Sequence, residues 1–274
     1  MKRTIRKTVS YAFLIIMFFL FTFPFFYMFV LATWRTPYTL PPQLWFGPEL
    51  QENIAALIRN DSINFPVNYM TSVGIAVIGT TLTVFFCTMG GFAFAKYDFR
   101  GKKTIFGLMV LTLAIPGFLN IIPFFKMMVF FRWYNTWLPL IVPGMANAFG
   151  IFLMTQFLEE AVPGDLLDAA RIDGVSELGL LRRVVFPLAG PGIAVLGTVS
   201  FIGSWNNFLG ALVMLPDPRR STLPVALSSL FVAVRGNYGE MLAGNALAVL
   251  PLLVAFLLFS KKIIANLTAG SLKG

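Results

Sequence analysis

Glu159 to Pro191 reads EEAVPGDLLDAARIDGVSELGLLRRVVFPLAGP. It is a polar island between two long apolar runs, too charged to cross a membrane and too regular to be a loop. Asp165 to Asp173 has the pattern of a short helix. An aspartate starts it, Leu166, Ala169, Ala170 and Ile172 supply small or apolar positions, and Gly174 stands where a left-handed stop is expected. A second helix is predicted to start at Ser176, pass through Leu178, Leu181 and Val185, and end at Pro187. Two short helices joined by a glycine corner make a knob that another protein can grip.

The chain around this island is 57% hydrophobic and only 12% charged, too little polar content to cover a soluble surface. An all-α integral membrane protein is predicted. Outer-membrane strands would alternate apolar and polar residues, whereas these apolar runs are unbroken. Six are long enough to cross about 30 Å of hydrocarbon: Tyr11 to Thr33, Tyr69 to Ala95, Thr104 to Phe125, Leu138 to Leu158, Leu188 to Leu212 and Met241 to Ser260. The first is longer than a signal-peptide core and no A-x-A cleavage site follows it, so an uncleaved span is expected.

Lys and Arg counts set the orientation. With the N-terminus inside, 14 of the 21 basic residues fall on the cytoplasmic side, among them Lys96, Arg100, Lys102, Lys103, Arg171, Arg182 and Arg183. Both termini and the 159–191 island are then cytoplasmic. The net charge of +9 is accounted for by this topology, and no nucleic-acid binding is read from it. Outside, residues 34–68 form a Pro-rich loop with a helix-like insert around Asn53 to Arg59. A second loop, 213–240, contains an apolar stretch too short to span.

Several chemistries are excluded. There is no histidine, which removes His-ligated metals and His general bases. The single cysteine, Cys87, cannot form an internal disulfide. No GxxxxGK[ST] loop is present, so any ATP must bind another chain and no cofactor is expected here. None of the six spans contains Asp, Glu, Lys or Arg, which disfavours an ion-driven carrier working alone. An intramembrane enzyme lacks a catalytic constellation at that depth.

The polar residues that do occur in the spans are amides and hydroxyls: Asn147 on the fourth, Ser204, Asn206 and Asn207 beside Trp205 on the fifth, with Asn120 and Asn245 elsewhere. Neutral amides can hydrogen-bond sugar hydroxyls and Trp205 could stack on a sugar face, or these residues bond across helices. Pro116, Pro123 and Pro251 are expected to interrupt their helices. Ser200 with Ser204, and Gly244 with Ala248, are expected to let helices approach closely.

Leu167-Asp168-Ala169-Ala170-Arg171-Ile172-Asp173-Gly174-Val175-Ser176, followed by Phe186-Pro187-Leu188, resembles the EAA signature of ABC importer permeases, with Asp168 in place of the name-giving glutamate. Ser204-Trp205-Asn206, the turn FAFAKYDFRG ending at Gly101, Asn135-Thr136 and the C-terminal TAGSLKG are similar to the smaller six-span permease of carbohydrate importers of the maltose-system type. The resemblance implies a type I ABC importer fold and a coupling helix on the ATPase built from Asp165, Asp168, Ala169, Ala170, Asp173 and Gly174. It implies two ABC ATPase subunits, a second homologous permease and an extracytoplasmic sugar-binding protein as partners, the last reached by Gly236, Asn237, Tyr238 and Gly239. A translocation path through Asn147, Ser204, Trp205, Asn206 and Asn207 would be opened by alternating access in the inner cell membrane. The expected organisation is an N-terminal span and loop over 1–68, a permease core over 69–262 with the coupling loop at 159–190, and a tail over 263–274.

Overall fold

The structure is a computed structural model that describes residues 2–36, 42–233 and 238–270, with side chains described over 7–36, 42–231 and 238–258. Every regular element among the described residues is helical: α1 Lys2–Leu31, α2 Leu50–Arg59, α3 Phe65–Lys96, α4 Lys102–Thr112, a 3-10 turn Gly117–Asn120, α5 Ile121–Phe130, α6 Leu138–Ile141, α7 Ala148–Ala161 and α8 Gly164–Ile172. There follow α9 Glu177–Leu180, a π turn Leu181–Val185, α10 Phe186–Leu188, α11 Gly190–Trp205, α12 Phe208–Met214, α13 Leu223–Ala233 and α14 Tyr238–Gly270. The chain divides into two compact units. One comprises Met1–Pro66 with Ala226–Leu250, the other Val67–Val225 with Pro251–Gly274.

Among the described residues three helical stretches are long and apolar enough to cross a membrane: Lys7–Leu31, Phe65–Lys96 and Tyr238–Leu258. Two further candidates are bent pairs, Lys102–Thr112 with Gly117–Phe130 at 92°, and Glu177–Leu188 with Gly190–Trp205 at 79°. The expected third span is therefore broken. Its break falls at Pro116, whose ring disfavours helical backbone at Ile115.

The other two proline breaks do not occur. Pro123 lies in the first turn of α5, where its missing N–H leaves nothing unpaired, and Pro251 sits inside an unbroken α14. The expected fourth span is also divided, into α6 and α7. Pro139 enters α6 in its first turn, and Asn147 restarts the helix by accepting a hydrogen bond from the Gly150 amide at 2.8 Å.

In the first unit, Asn53 of α2 is 1% exposed and donates to Ala32 O at 2.9 Å and Trp34 O at 3.2 Å, satisfying carbonyls beyond the end of α1. Glu49 N bonds to Thr33 O, so the chain leaving α1 is clasped to the start of α2. Gly244 meets this packing as expected for a small residue: a Cβ there would come within 2.6 Å of Leu227.

In the second unit α7 is gripped closely. A Cβ on Gly91 of α3 would lie 2.5 Å from Met154 Cβ, and one on Gly150 of α7 would lie 2.6 Å from Cys87 Sγ. The core continues from Met154 and Leu158 through Val162 and Leu167 to Leu180, Val185 and Leu196, all at most 2% exposed. The polar island is thus rooted in the same core as the spans.

Candidate functional site

The island forms two helices around a corner. α8 begins at Gly164 after Pro163, one residue earlier than predicted, so Asp165 does not cap it. Its charge lies in the first turn, where the helix dipole favours an anion. Gly174 has φ +79°, the left-handed stop expected of it, and no neighbour lies within 4 Å of a Cβ built there. Ser176 caps α9 by accepting from the Gly179 amide at 3.3 Å. The second helix runs past Pro187 to Leu188, with a π turn over Leu181–Val185. Pro187 cannot donate to the carbonyl four residues back, which suits a local change of hydrogen-bond register.

Burial divides the knob into an inner and an outer face. Leu167, Leu180 and Val185 are buried and Ala170 and Val175 pack beside them. Ile172 is 87% exposed and Leu178 is 72% exposed, two apolar side chains pointing away from the core. Asp165, Asp168, Ala169, Asp173 and Gly174 are exposed as well. A protein surface that displays large apolar groups flanked by carboxylates is chemically suited to docking.

The corner is fixed by side chains far apart in sequence as well as near neighbours. Arg171 donates from Nε to Glu177 Oε1 at 3.1 Å and from Nη1 to Asp168 Oδ1 at 3.0 Å. The Tyr97 hydroxyl, just beyond α3, donates to Glu177 Oε2, and the Arg171 guanidinium carbon lies 5.8 Å from the centre of the Tyr97 ring. Burial pushes the Tyr97 hydroxyl up from its ordinary value, with the Glu177 bond acting the same way. The Tyr97 bond, then the Arg171 bond, hold Glu177 below the usual carboxylate range, and the Glu177 bond, ahead of Tyr97 and Asp168, raises Arg171. Asp168 pairs with Arg171 within the chain while its side chain stays 70% exposed. The sequence signal for this pairing was the three-residue spacing of Asp168 and Arg171 on one helix; Tyr97 is 80 residues from Glu177 and had none.

A second site lies in the same unit, an open cavity of about 200 Å³. Gly79 and Thr83 of α3 form one wall, Leu140, Ile141, Gly144 and Asn147 another, and Ser200, Gly203, Ser204 and Asn207 a third. The lining carries amides, hydroxyls and backbone but no charged group. The unwound segment between α6 and α7 is held to α3 by the Thr83 hydroxyl, which donates to Gly144 O at 3.2 Å, and Asn147 Nδ2 donates to the same carbonyl at 3.0 Å.

Three of the five residues expected in a translocation path meet here: Asn147, Ser204 and Asn207. Asn207 caps α12 through Gly210 N at 3.1 Å. Asn206 is exposed at the end of α11 outside the cavity lining. Trp205 takes a different place from the one expected: it is 3% exposed, stacked on Phe201 at 6.1 Å and edge-on to Tyr69 at 6.0 Å. Its ring packs against Phe201 and Tyr69, outside the cavity lining, with almost no face open to a sugar. Ser200 and Ser204, expected to bring helices together, line the space between them.

Of the four residues expected to meet a binding protein, Gly236 and Asn237 lie outside the described residues. Tyr238 and Gly239 open α14, with Gly239 N bonded to Arg35 O at 3.3 Å. Close behind, Glu240 is 5% exposed and accepts from Asn60 Nδ2 at 2.7 Å.

Residues 87–267 match the family described as binding-protein-dependent transport system inner membrane component. The chain belongs to that family. It is the membrane-embedded permease component of such a system and not an enzyme. It is 36% identical over 203 residues to the arabinooligosaccharides transport system permease protein of Halalkalibacterium halodurans, covering 74% of this chain and 72% of that one. It is 30% identical over 273 residues to the lactose transport system permease protein of Rhizobium radiobacter, covering 100% and 98%. Its fold is similar to a chain of a bacterial ABC transporter involved in the import of the acidic polysaccharide alginate, with TM-score 0.80, 21% identity and coverage of 94% and 96%.

Proposed function

We propose that this permease serves an ATP-driven sugar importer. In this reading it crosses the inner cell membrane six times with both termini cytoplasmic, the pair Lys102–Thr112 with Gly117–Phe130, the α6–α7 segment and α11 with α12 completing the set. It pairs with a second homologous permease, two ABC ATPase subunits and an external sugar-binding protein. ATP-driven closure of the ATPases draws the 159–191 knobs together and opens the cavity outward; hydrolysis resets it.

The observation that carries this is the knob. A left-handed glycine corner presents Ile172 and Leu178 outward while Leu167, Leu180 and Val185 root the same helices in the core of the spans. Force applied outside is thereby transmitted inward. The uncharged cavity lining of amides and hydroxyls favours a neutral, hydroxyl-rich solute, in keeping with the arabinooligosaccharide and lactose named for its relatives. Asp165, Asp173 and Ala169 face the ATPase cleft with Gly174 setting the angle, and the region 236–239 approaches the binding protein.

The test is co-purification with the candidate ATPase and sister permease, together with uptake of arabino-oligosaccharides and lactose by reconstituted vesicles. Gly174→Pro and deletion of residues 165–174 are expected to abolish both ATPase association and uptake. Intact association and uptake in either variant would overturn the coupling role.

A further inference from the structure

Besides the α7–α8 connection and the buried core it shares with them, the knob is tied to the spans by two routes. One is the chain itself, which passes from α9 through the π turn and the 79° bend into α11 and so to the cavity wall of Ser200, Gly203 and Ser204. That route has a compliant hydrogen-bond register and a sharp bend in it. The other route is made of side chains. Tyr97, Arg171 and Glu177 close a ring of contacts between the end of α3 and both sides of the Gly174 corner. Lys96 adds a second tie to the same end of α3, donating from Nζ to Glu159 O at 3.0 Å.

We propose that Tyr97, Arg171 and Glu177 are a positioning clasp that delivers movement of the knob to α3, and through it to the Gly79–Thr83 wall of the cavity. This rests on the coupling role proposed above. Tyr97 is set by packing, its ring edge-on to Phe92 at 5.2 Å. α3 is a helix of 32 residues, and the 14 residues from Thr83 to Tyr97 span about 21 Å at 1.5 Å per residue. A displacement at Tyr97 therefore reaches Thr83 along a rigid element.

Orientation is the use the ring is suited to. The side chains of Arg171 and Glu177 are 36% and 57% exposed, and ion pairs so exposed add little stability. Their geometry is nonetheless specific. The guanidinium spends Nε on one carboxylate and Nη1 on another while its plane sits near the Tyr97 ring, which a lysine cannot reproduce.

The assembled importer tests this with a cysteine reporter on each wall, Gly79→Cys for α3 and Gly203→Cys for α11, reacted with a small methanethiosulfonate reagent with and without ATP plus vanadate. Native Cys87 is fully buried and silent in that assay. With the clasp intact, ATP changes the labelling rate at both reporters. Tyr97→Phe, Glu177→Gln and Arg171→Lys are expected to cut the ATP response at Gly79→Cys about three- to tenfold, leaving ATPase association and the Gly203→Cys response in place. The Tyr97→Phe, Glu177→Gln double variant is expected to lose no more than the worse single one.

An undiminished response at Gly79→Cys, additive losses, or equal losses at both walls would overturn the clasp. Equal losses, or loss of ATPase association, would make it merely a structural brace. If neither reporter responds to ATP with the clasp intact, the coupling role itself fails, a separate result.

Discussion

Arg171 Nε and Glu177 Oε1 lie 3.1 Å apart across the Gly174 corner, so a side-chain bridge closes the turn that the glycine opens. The backbone at Gly174 is left-handed with φ +79°, and a Cβ there meets nothing within 4 Å. Substitution is costly by conformation alone. Gly174→Ala is expected to destabilise the knob by about 1–2 kcal/mol, and Gly174→Asn by less, since Asn tolerates this region. Hydrogen exchange across residues 165–180, compared for the three proteins, measures the order.

The Tyr97–Arg171–Glu177 ring has a defined pH window. Glu177 is held below its ordinary value of 4.5, so its contribution is complete above 4.5 and is lost as pH falls through the lowered value. Tyr97 is raised above 10.0, so its contribution is complete below 10.0 and is lost as pH rises through the raised value. Asp168 also faces Arg171, and Lys96 stands beside Tyr97. Protection of the corner amides, corrected for intrinsic exchange, is expected to be flat between those limits and to fall outside them. Glu177→Gln removes the acid limb.

Helix contact in the core depends on particular glycines. Gly91→Ala would place Cβ 2.5 Å from Met154 Cβ and 2.8 Å from its carbonyl carbon, and backbone cannot swing aside. A loss of about 1–3 kcal/mol is expected. Gly107, inside α4, has nothing within 4 Å of its Cβ position, so Gly107→Ala is expected to be neutral or to add up to about 1 kcal/mol. Thermal unfolding in detergent separates the two.

Filling the cavity should separate folding from transport. Gly203 faces the space between the walls with no neighbour within 4 Å of a Cβ. Gly203→Leu is expected to leave expression and thermal unfolding within about 0.5 kcal/mol of the parent while uptake falls at least tenfold. Asn147→Ala, by contrast, removes the cap of α7 and is expected to cost about 1 kcal/mol of stability as well as uptake.

Local chemistry was legible in the chain itself. The apolar runs announced a membrane protein, the Gly174 corner and the Ser176 start were readable one residue at a time, and Asn147, Ser204 and Asn207 stood out as neutral polar groups in apolar surroundings. These signals come from hydropathy, dihedral preference and capping, which act over a few residues.

What tertiary structure decided was partnership. Trp205 and Ser204 are adjacent in sequence, yet one packs against Tyr69 and Phe201 while the other lines a cavity. Pro116 marks a break and Pro251 does not, a difference that hydropathy along the chain does not encode. Glu177 gave no sign that it would find Tyr97, since a contact over 80 residues depends on where α3 ends in space and not on any pattern along the chain.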